Sequence, residues 1–253
     1  MHLLQLLIDH DNVPFQEVGL RHIFDAWLDS LGGALRPASG VVLRVRAYGG
    51  WFAGVASTDA RFSASELYQE TCPSVFVRQQ RVVRVTFEFA DYLAGYSPQD
   101  SADQVIRITH TVAARGKSIL TSLRPRKSVS CVEVGCRLRE TVHWLKSRRA
   151  CASPHCPYKF SDFFTRLDQK QVDVHLGVDA LLLASRLGPT DYLGVVSDDL
   201  DLVPAVLAAT LQTGRQGAIF LLRFASGSRN LDDLLVNCGT RIVDVAPTAL
   251  PGK

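Results

Sequence analysis

The segment Asp191-Tyr-Leu-Gly-Val-Val-Ser197-Asp-Asp199-Leu-Asp201 passes directly from an apolar run into a group of acids. A short, continuous apolar run that ends in polar residues is typical of a strand buried on both faces of a parallel sheet. Helices and strands are predicted to alternate after it: a helix at 202–211, a strand at 218–224, a helix at 231–238 and a strand at 241–245. This alternation predicts an α/β fold in which helices cover both faces of a parallel sheet.

The first fifty residues follow a similar pattern. Residues 3–8 predict a buried strand that ends at Asp9-His-Asp-Asn12, and apolar residues at helical spacing over 18–31 predict a helix that ends at Gly32 and Gly33. Residues 41–48 predict a strand with one polar face. Further along, the sequence predicts a short helix near 63–70, β-rich stretches at 82–89 and 105–112, and a broadly helical stretch at 160–187 with a break near Gln169.

The composition, with 47% hydrophobic and 21% charged residues, is ordinary for a globular protein, and 253 residues suffice for one large domain or two small ones. No apolar run approaches the roughly 20 residues that cross a bilayer. The apolar N-terminus lacks the basic residues of a signal peptide and meets Asp9 at once, which indicates a buried strand. We therefore expect a cytoplasmic protein with no membrane partner.

Charge is distributed unevenly along the chain. Residues 115–149 contain ten basic residues and two acids, whereas residues 162–201 contain eight aspartates and three basic residues. In this arrangement the basic segment would bind a polyanion, and metal ions held by the acidic segment would cut it. The alternative is that the basic segment is an ordinary solvated face. The basic residues predicted to contact nucleic acid are Arg124, Arg126, Lys127, Arg137, Arg139, Lys146, Arg148, Arg149 and Lys170.

Acids follow two of the predicted strands, at the point where ligands bind to open parallel sheets. Asp9 ends the first strand, and Asp198, Asp199 and Asp201 follow the strand at 191–197. Like charges at neighbouring strand ends are unfavourable unless a cation lies between them, and Mg²⁺ and Mn²⁺ prefer carboxylate ligands. Such an ion activates a bound water and stabilises charge on a phosphate. The alternative is that the acids cap helices, as Asp198 or Asp199 would for the helix at 202–211.

Two more acids, Asp173 and Asp179, lie in the predicted helical stretch. Six positions along a helix correspond to a net rotation of about 240°, so the two side chains do not share a face. We predict that Asp173, which follows an irregular stretch, joins the metal site from a helix N-terminus. Asp179, between Val178 and Ala180, is interpreted as an acid that supports the site from behind or packs the helix.

Three segments together resemble the NYN family of PIN-like nucleases: Leu6-Leu-Ile-Asp9-His-Asp-Asn12, the stretch from Lys170-Gln-Val-Asp173 to Asp179, and residues 191–204. In that family the segments read apolar-Asp-x-x-Asn, Lys-Gly-Val-Asp with a later Asp, and Ser-Gly-Asp-x-Asp-Phe-x-Pro. The departures are Gln171 and Asp198 in place of Gly, and Leu202 in place of an aromatic residue. The resemblance implies a PIN-like (Rossmann-like) parallel sheet flanked by helices, with its core split between residues 1–50 and 160–246. The resemblance does not explain residues 51–159, which we expect to form an inserted lobe with extra strands and the basic, cysteine-containing segment. Residues 247–253 are expected to form a loose tail.

The resemblance also implies roles for individual residues. Asp9, Asp173 and Asp199 would bind the metal ion, and Asp201 would complete the acidic patch. Asn12 and Ser197 would position phosphate or water. The implied activity is that of a metal-dependent nuclease, expected to be an endoribonuclease that uses Mg²⁺ or Mn²⁺, with RNA as substrate and DNA as the alternative. PIN-like enzymes often pair, so a homodimer is also expected.

Four of the six cysteines form two pairs with the same internal spacing. They are Cys131, Cys136, Cys151 and Cys156, called the cysteine quartet below. The quartet predicts a tetrahedral structural Zn²⁺ site that stiffens the basic segment, with His143 or His155 as substitutes for one cysteine. The alternative is four unrelated reduced thiols. Cys72 and Cys238 are predicted to be small buried side chains.

The sequence leaves two other functions open. Asp9-His-Asp11 also resembles the nucleophile motif of haloacid-dehalogenase-type phosphatases, with Asp198-Asp199 as the magnesium motif, but that chemistry needs a phosphate-binding Ser or Thr loop that we do not find. The second is a PIN-like module that binds nucleic acid without cutting it, although all the expected acids are present. His10 is interpreted as a catalytic base or as a residue that faces away from Asp9, and Trp51 and Phe52 as base-stacking or core residues.

Overall fold

A computed structural model describes residues 1–15, 17–35, 40–53, 56–94, 110–113, 167–170, 172–224 and 229–246. The strands in this part of the chain are His2–Asp9 (β1), Val41–Tyr48 (β2), Phe52–Ala53 (β3), Ala56–Ser57 (β4), Val75–Arg78 (β5), Arg81–Phe89 (β6), His110–Ala113 (β7), Leu167–Lys170 (β8), Tyr192–Val196 (β9), Ile219–Arg223 (β10) and Arg241–Asp244 (β11). Its helices are Leu20–Leu31 (α1), Asp59–Thr71 (α2), Val172–Ala184 (α3), Val203–Thr213 (α4) and Arg229–Asn237 (α5).

Seven of these strands form one sheet in the order β11-β10-β9-β1-β2-β6-β5. Every neighbouring pair is parallel except β5 and β6, which form an antiparallel hairpin at one edge. The fold is therefore α/β with a mostly parallel sheet flanked by helices, and it is compatible with a Rossmann-like arrangement. This part of the prediction from the alternation of elements is confirmed.

Strand β1 lies at the centre of the sheet, between β9 and β2. Successive side chains of a strand point to opposite faces. Leu4, Leu6 and Ile8 accordingly belong to a buried cluster with α1, whereas Leu7 belongs to a second cluster with α3 and α4. Because the strand is covered on both faces, its sequence is a nearly continuous apolar run. The apolar run at residues 3–8 therefore predicted this strand correctly.

Helix α1 covers the first face with one apolar stripe. The stripe consists of Leu20, Ile23, Phe24, Trp27, Leu28 and Leu31, all of them buried. These positions recur every three or four residues, which keeps them on one side of a helix. The helix ends at Gly32, whose φ of 44° is a conformation that glycine adopts without strain. The predicted end of the helix is thus confirmed.

The hairpin of β5 and β6 extends the sheet beyond residue 50, where the predicted insertion begins. Strand β6, which contains the β-rich stretch predicted at 82–89 and begins one residue earlier, pairs in parallel with β2. Contacts divide the chain into one compact unit of Met1–His110 with Gln169–Lys253 and a second unit of Thr111–Asp168. The turn of the hairpin is formed by Gln79 and Gln80, with φ of 48° and 62°. Tight turns of this kind usually contain Asn, Asp or Gly, so the sequence did not predict β5.

The helical stretch predicted at 160–187 needs a correction. Leu167–Lys170 is a strand, β8, which pairs with β7 in a two-stranded sheet, and helix α3 begins only at Val172. A strand of four residues is too short to show a period of its own beside a long apolar helix.

The helix predicted near 63–70 is longer in the structure. The Thr58 side chain accepts a hydrogen bond from the Arg61 N–H at 3.3 Å and so caps α2 at its start. None of the helices that the structure describes is long and apolar enough to cross a membrane.

Candidate functional site

The ends of β1 and β9 bring Asp9 and Ser197 together. Ile8 and Val196 are partners in the register of the two strands, so the residues that follow them lie side by side. Ser197 Oγ donates a hydrogen bond to Asp9 Oδ2 at 2.6 Å. Asn12 Nδ2 donates a second one to the same oxygen at 2.7 Å. Both residues, which the resemblance assigned to phosphate or water, therefore orient the carboxylate of Asp9.

Asp9 is a buried acid, with 1% of its surface exposed. This burial raises its pKa from the ordinary 3.8 to about 6, against the lowering effect of the hydrogen bonds from Ser197 and Asn12. The negative charges of Asp173 and Asp11 raise the pKa further. At neutral pH the carboxylate is charged, and its charge is poorly solvated.

The loop after β9 carries the next acids of the site. The Asp199 N–H donates to Ser197 Oγ at 3.0 Å, and Asp199 Oδ1 accepts from the Asp201 N–H at 2.8 Å. The second bond caps the short 3₁₀ turn Leu200–Leu202. Helix α4 itself begins at Val203 without a side-chain cap, so the alternative in which Asp198 or Asp199 caps that helix is wrong. Asp198 points elsewhere, because its Oδ1 accepts from the Phe224 N–H at the end of β10.

Asp173 lies in the first turn of α3 and is exposed to solvent. Partial burial of its carboxyl raises the pKa of Asp173, and the charges of Asp199, Asp201 and Asp11 raise it further. Coulomb energies fall with distance and are screened by water, so this coupling places the carboxylates within one region. We call Asp9, Asp11, Asp173, Asp199 and Asp201 the acid cluster.

The donor set of the acid cluster suits a hard divalent cation. In the described part of the chain, no three His, Cys, Asp or Glu side chains already converge as ligands around one point. Mg²⁺ is usually held by one or two carboxylates and keeps several waters, so it does not require a closed cage of protein ligands. Both Asp9 hydrogen bonds end on Oδ2, and none among the described residues ends on Oδ1. Asp9 Oδ1, Asp173 and Asp199 are the groups that would hold such an ion.

Asp179 does not belong to the acid cluster. Its side chain is 0% exposed and forms an ion pair with Arg46, with 3.0 Å between Oδ2 and Nε. This ion pair joins α3 to strand β2, so the acid packs the helix against the sheet. The sequence held no sign of the partner, because Arg46 alternates with apolar residues like any residue on a polar strand face.

His10 and Trp51 belong to an aromatic cluster next to β1. The His10 ring centroid lies 4.9 Å from that of Phe15, 5.3 Å from that of Trp51 and 5.7 Å from that of Tyr68. Burial lowers the pKa of His10, although the charge of Asp11 opposes this effect. Trp51 is 0% exposed and donates from Nε1 to the Ala47 carbonyl at 3.1 Å, so it is a core residue that cannot stack on a base.

Several predicted site residues lie outside the described residues: the cysteine quartet and the basic residues Arg124, Arg126, Lys127, Arg137, Arg139, Lys146, Arg148 and Arg149. Lys170 is part of strand β8, and only its backbone is described. The two remaining cysteines, Cys72 and Cys238, are free thiols and are half-buried, whereas the sequence predicted small buried side chains. Burial raises the pKa of Cys72 to about 11, so this thiol is unreactive at neutral pH.

Comparisons with protein-family models, with curated proteins and with solved structures find no match to this chain. The resemblance to the NYN family therefore stays a prediction that rests on the three quoted segments. The description of the acid cluster rests on the contacts within this chain.

Proposed function

We propose that the protein is a metal-dependent nuclease of the PIN-like kind, which hydrolyses phosphodiester bonds of RNA at the acid cluster. The observation that carries the proposal is the buried Asp9, hydrogen-bonded by Ser197 and Asn12 at the carboxyl end of a central parallel strand and coupled to the charge of Asp173. Open parallel sheets bind their ligands at this edge.

The electrostatics of the cluster support a function that involves a cation. Without one, burial of Asp9 and its repulsion with Asp173 and Asp11 are unfavourable, as the raised pKa shows. Strongly shifted acids of this kind concentrate at functional sites, where the chemistry requires them at a cost in stability. A cluster of carboxylates also repels a polyanion, so RNA binding at this edge requires a compensating positive charge.

Each residue of the site has a defined task in this proposal. Ser197 and Asn12 hold the carboxylate of Asp9 in one orientation, with Oδ1 free of other hydrogen bonds among the described residues. Asp173 and Asp199 bring further carboxylate oxygens to the same region. A divalent cation, when bound, supplies an activated water and positive charge for the phosphate. Above pH 6 the ionised Asp9 is available as a ligand.

The two other functions fit the described residues less well. In a phosphatase of the haloacid-dehalogenase type, Asp9 would attack a phosphate, yet it is 1% exposed and its Oδ2 already accepts two hydrogen bonds. A module that only binds nucleic acid gains nothing from a group of mutually repelling acids at its ligand-binding edge. The burial of Asp9 and the repulsion among the acids therefore favour the nuclease.

Cleavage of end-labelled single-stranded RNA and DNA tests the proposal. The full chain is incubated with Mn²⁺ or with EDTA, alongside the variants Asp199→Asn and Asp198→Asn. Asp198 is the matched control, because it lies in the same loop and carries the same charge, but it points towards Phe224. We expect Mn²⁺-dependent cleavage of RNA that Asp199→Asn lowers by about 100-fold or more and that Asp198→Asn preserves. A wild-type protein that binds both polymers and cuts neither would make the binding module the better proposal.

A further inference from the structure

A buried ion pair joins the sheet to the helix that carries Asp173. Arg46 of β2 donates from Nε to Asp179 Oδ2 of α3 at 3.0 Å, and the carboxylate of Asp179 is 0% exposed. Placing two charges in an apolar core is unfavourable unless further hydrogen bonds satisfy them, and apolar residues of similar volume often serve stability as well or better. Such a pair is weak evidence for a role in stability, and its fixed geometry can instead specify one arrangement of the elements that it joins.

Asp179 is saturated with hydrogen bonds. Its Oδ2 also accepts from the Tyr48 hydroxyl at 2.8 Å, and its Oδ1 accepts from the Ala94 N–H at 2.7 Å. Burial raises the pKa of Asp179, but the hydrogen bonds from His175 and Ala94 and the charge of Arg46 outweigh it, and the pKa lies below its ordinary value. The acid is thus ionised throughout the neutral range.

The same network holds the segment after β6. Arg46 Nη1 donates to Glu88 Oε1 at 2.5 Å, and Arg46 Nη2 donates to the Tyr92 carbonyl. His175 Nε2 lies 3.0 Å from that carbonyl oxygen, which can only accept, so this nitrogen carries the proton. Strands β2 and β6, residues 90–94 and helix α3 are all joined through one arginine and one aspartate.

The network lies directly behind the acid cluster. Tyr48 is the register partner of Asp9 at the ends of β2 and β1. Asp179 lies six residues after Asp173 on the same helix, or about 9 Å along its axis. The network thus connects Tyr48, which lies beside Asp9, to α3, which carries Asp173.

Apolar packing alone does not define how α3 is rotated. Its sequence, Val-Asp-Val-His-Leu-Gly-Val-Asp-Ala-Leu-Leu-Leu-Ala, has apolar side chains around the whole helix. A helix of this kind can bury several different faces against a sheet at similar energy, because hydrophobic contacts are not directional. Hydrogen bonds with fixed geometry at Asp179 and His175 select one of these rotations.

We propose that Asp179, Arg46 and Tyr48 are positioning residues, which fix the rotation of α3 so that Asp173 enters the acid cluster. The significance of this role for a metal site rests on the proposed function. The geometric role itself does not, and the two are tested separately.

Three variants of the full chain and two readouts test the inference. Tyr48→Phe removes the hydroxyl from the network and keeps the ring, and Asp179→Asn removes the charge. Thr210→Val is the matched control, because it also removes one buried hydroxyl. Thr210 lies on α4, and its hydroxyl bonds to the Val206 carbonyl and to the Thr240 hydroxyl, outside the network. The first readout is Mn²⁺ affinity, measured from the free Mn²⁺ signal in paramagnetic resonance. The second is amide hydrogen exchange of residues 176–180, whose helical partners are the carbonyls of residues 172–176 at the start of α3.

We expect Tyr48→Phe to weaken Mn²⁺ binding by about tenfold and Asp179→Asn by about tenfold or more, whereas Thr210→Val stays near the wild type. Exchange at 176–180 should be faster in Tyr48→Phe than in Thr210→Val. Equal Mn²⁺ affinity of Tyr48→Phe and the wild type would overturn the inference, and this variant decides the question if Asp179→Asn does not fold. If the wild type itself binds no Mn²⁺, the proposed function fails. Hydrogen exchange alone then decides, and equal exchange in Tyr48→Phe and Thr210→Val would overturn the positioning role.

Discussion

Asp9 should destabilise the folded protein when no metal ion is present, and the size of the effect follows from its pKa. The pKa is 3.8 for an ordinary aspartate and about 6 in this site. A tenfold change in a proton-binding constant corresponds to about 1.4 kcal/mol, so the folded state is less stable by about 3 kcal/mol once Asp9 is ionised. Because the residue is only 1% exposed, solvent screening does not reduce this figure much. Replacing Asp9 with Asn removes the charge and keeps an oxygen that accepts from Ser197 and Asn12.

The sign of the pH dependence is set by the raised pKa. Between pH 3.8 and about 6 the folded protein keeps the proton of Asp9 and the unfolded chain releases it. The contribution of this group to stability is thus complete below pH 3.8 and is lost as the pH rises through 6. The gain in stability from Asp9→Asn should be about 3 kcal/mol at pH 7 and less than about 1 kcal/mol at pH 4.

Urea denaturation of the wild type and Asp9→Asn in EDTA, at pH 7 and pH 4, measures this difference. Asp11→Asn is the control: it removes a charge two residues away, and Asp11 is exposed. Its effect should stay below about 1 kcal/mol. A variant Asp9→Asn that is no more stable than the wild type at pH 7 would refute the destabilising effect of the buried charge. An equal gain from Asp11→Asn would show that net charge, and not the burial of Asp9, is responsible.

Three further predictions concern the metal sites and the core. Mn²⁺ at about 100 times its Kd should stabilise the wild type by about 2.7 kcal/mol, measured as a rise in the thermal unfolding midpoint. The variant Asp173→Asn should lose most of this rise, and an equal rise in both proteins would exclude Asp173 as a ligand. Gly194→Ala should cost about 1–3 kcal/mol in urea denaturation, because its Cβ would come within 2.8 Å of Leu6 Cδ1 and 3.0 Å of the Trp27 ring; an unchanged midpoint would contradict this packing. Elemental analysis should find about one zinc per chain, lost in Cys131→Ser, and a zinc-free wild type would leave the cysteine quartet as free thiols.

The central elements of the fold could be predicted from the sequence because their signals are local. Residues 3–8 and 191–197 are short apolar runs that end in acids, and they form β1 and β9 at the centre of the sheet. The α1 stripe has a clear helical period and a glycine at its end. Asp9 and the acids after β9 could be assigned to one edge, since parallel strands end on the same side of a sheet.

Other features depended on contacts that no local pattern contains. The turn at Gln79 and Gln80 adopts positive φ without a glycine, so it left no sequence signal for β5. Ser197 and Asn12 were predicted to position phosphate or water, and in the structure each of them donates a hydrogen bond to Asp9. A hydroxyl or an amide can serve either purpose, and the distance to a neighbour decides which.

The sequence by itself thus determined the α/β class, the strands at the centre of the sheet and the edge at which the acids gather, because hydrophobic period and polarity act over a few residues. Only the tertiary structure decided which groups hold Asp179 in the core. The partners of Asp179 are Arg46, 133 positions away in the chain, Tyr48, 131 positions away, and the Ala94 N–H, 85 positions away. The role of a buried charge is set by the groups that replace its water, and those groups are brought to it by the folded chain.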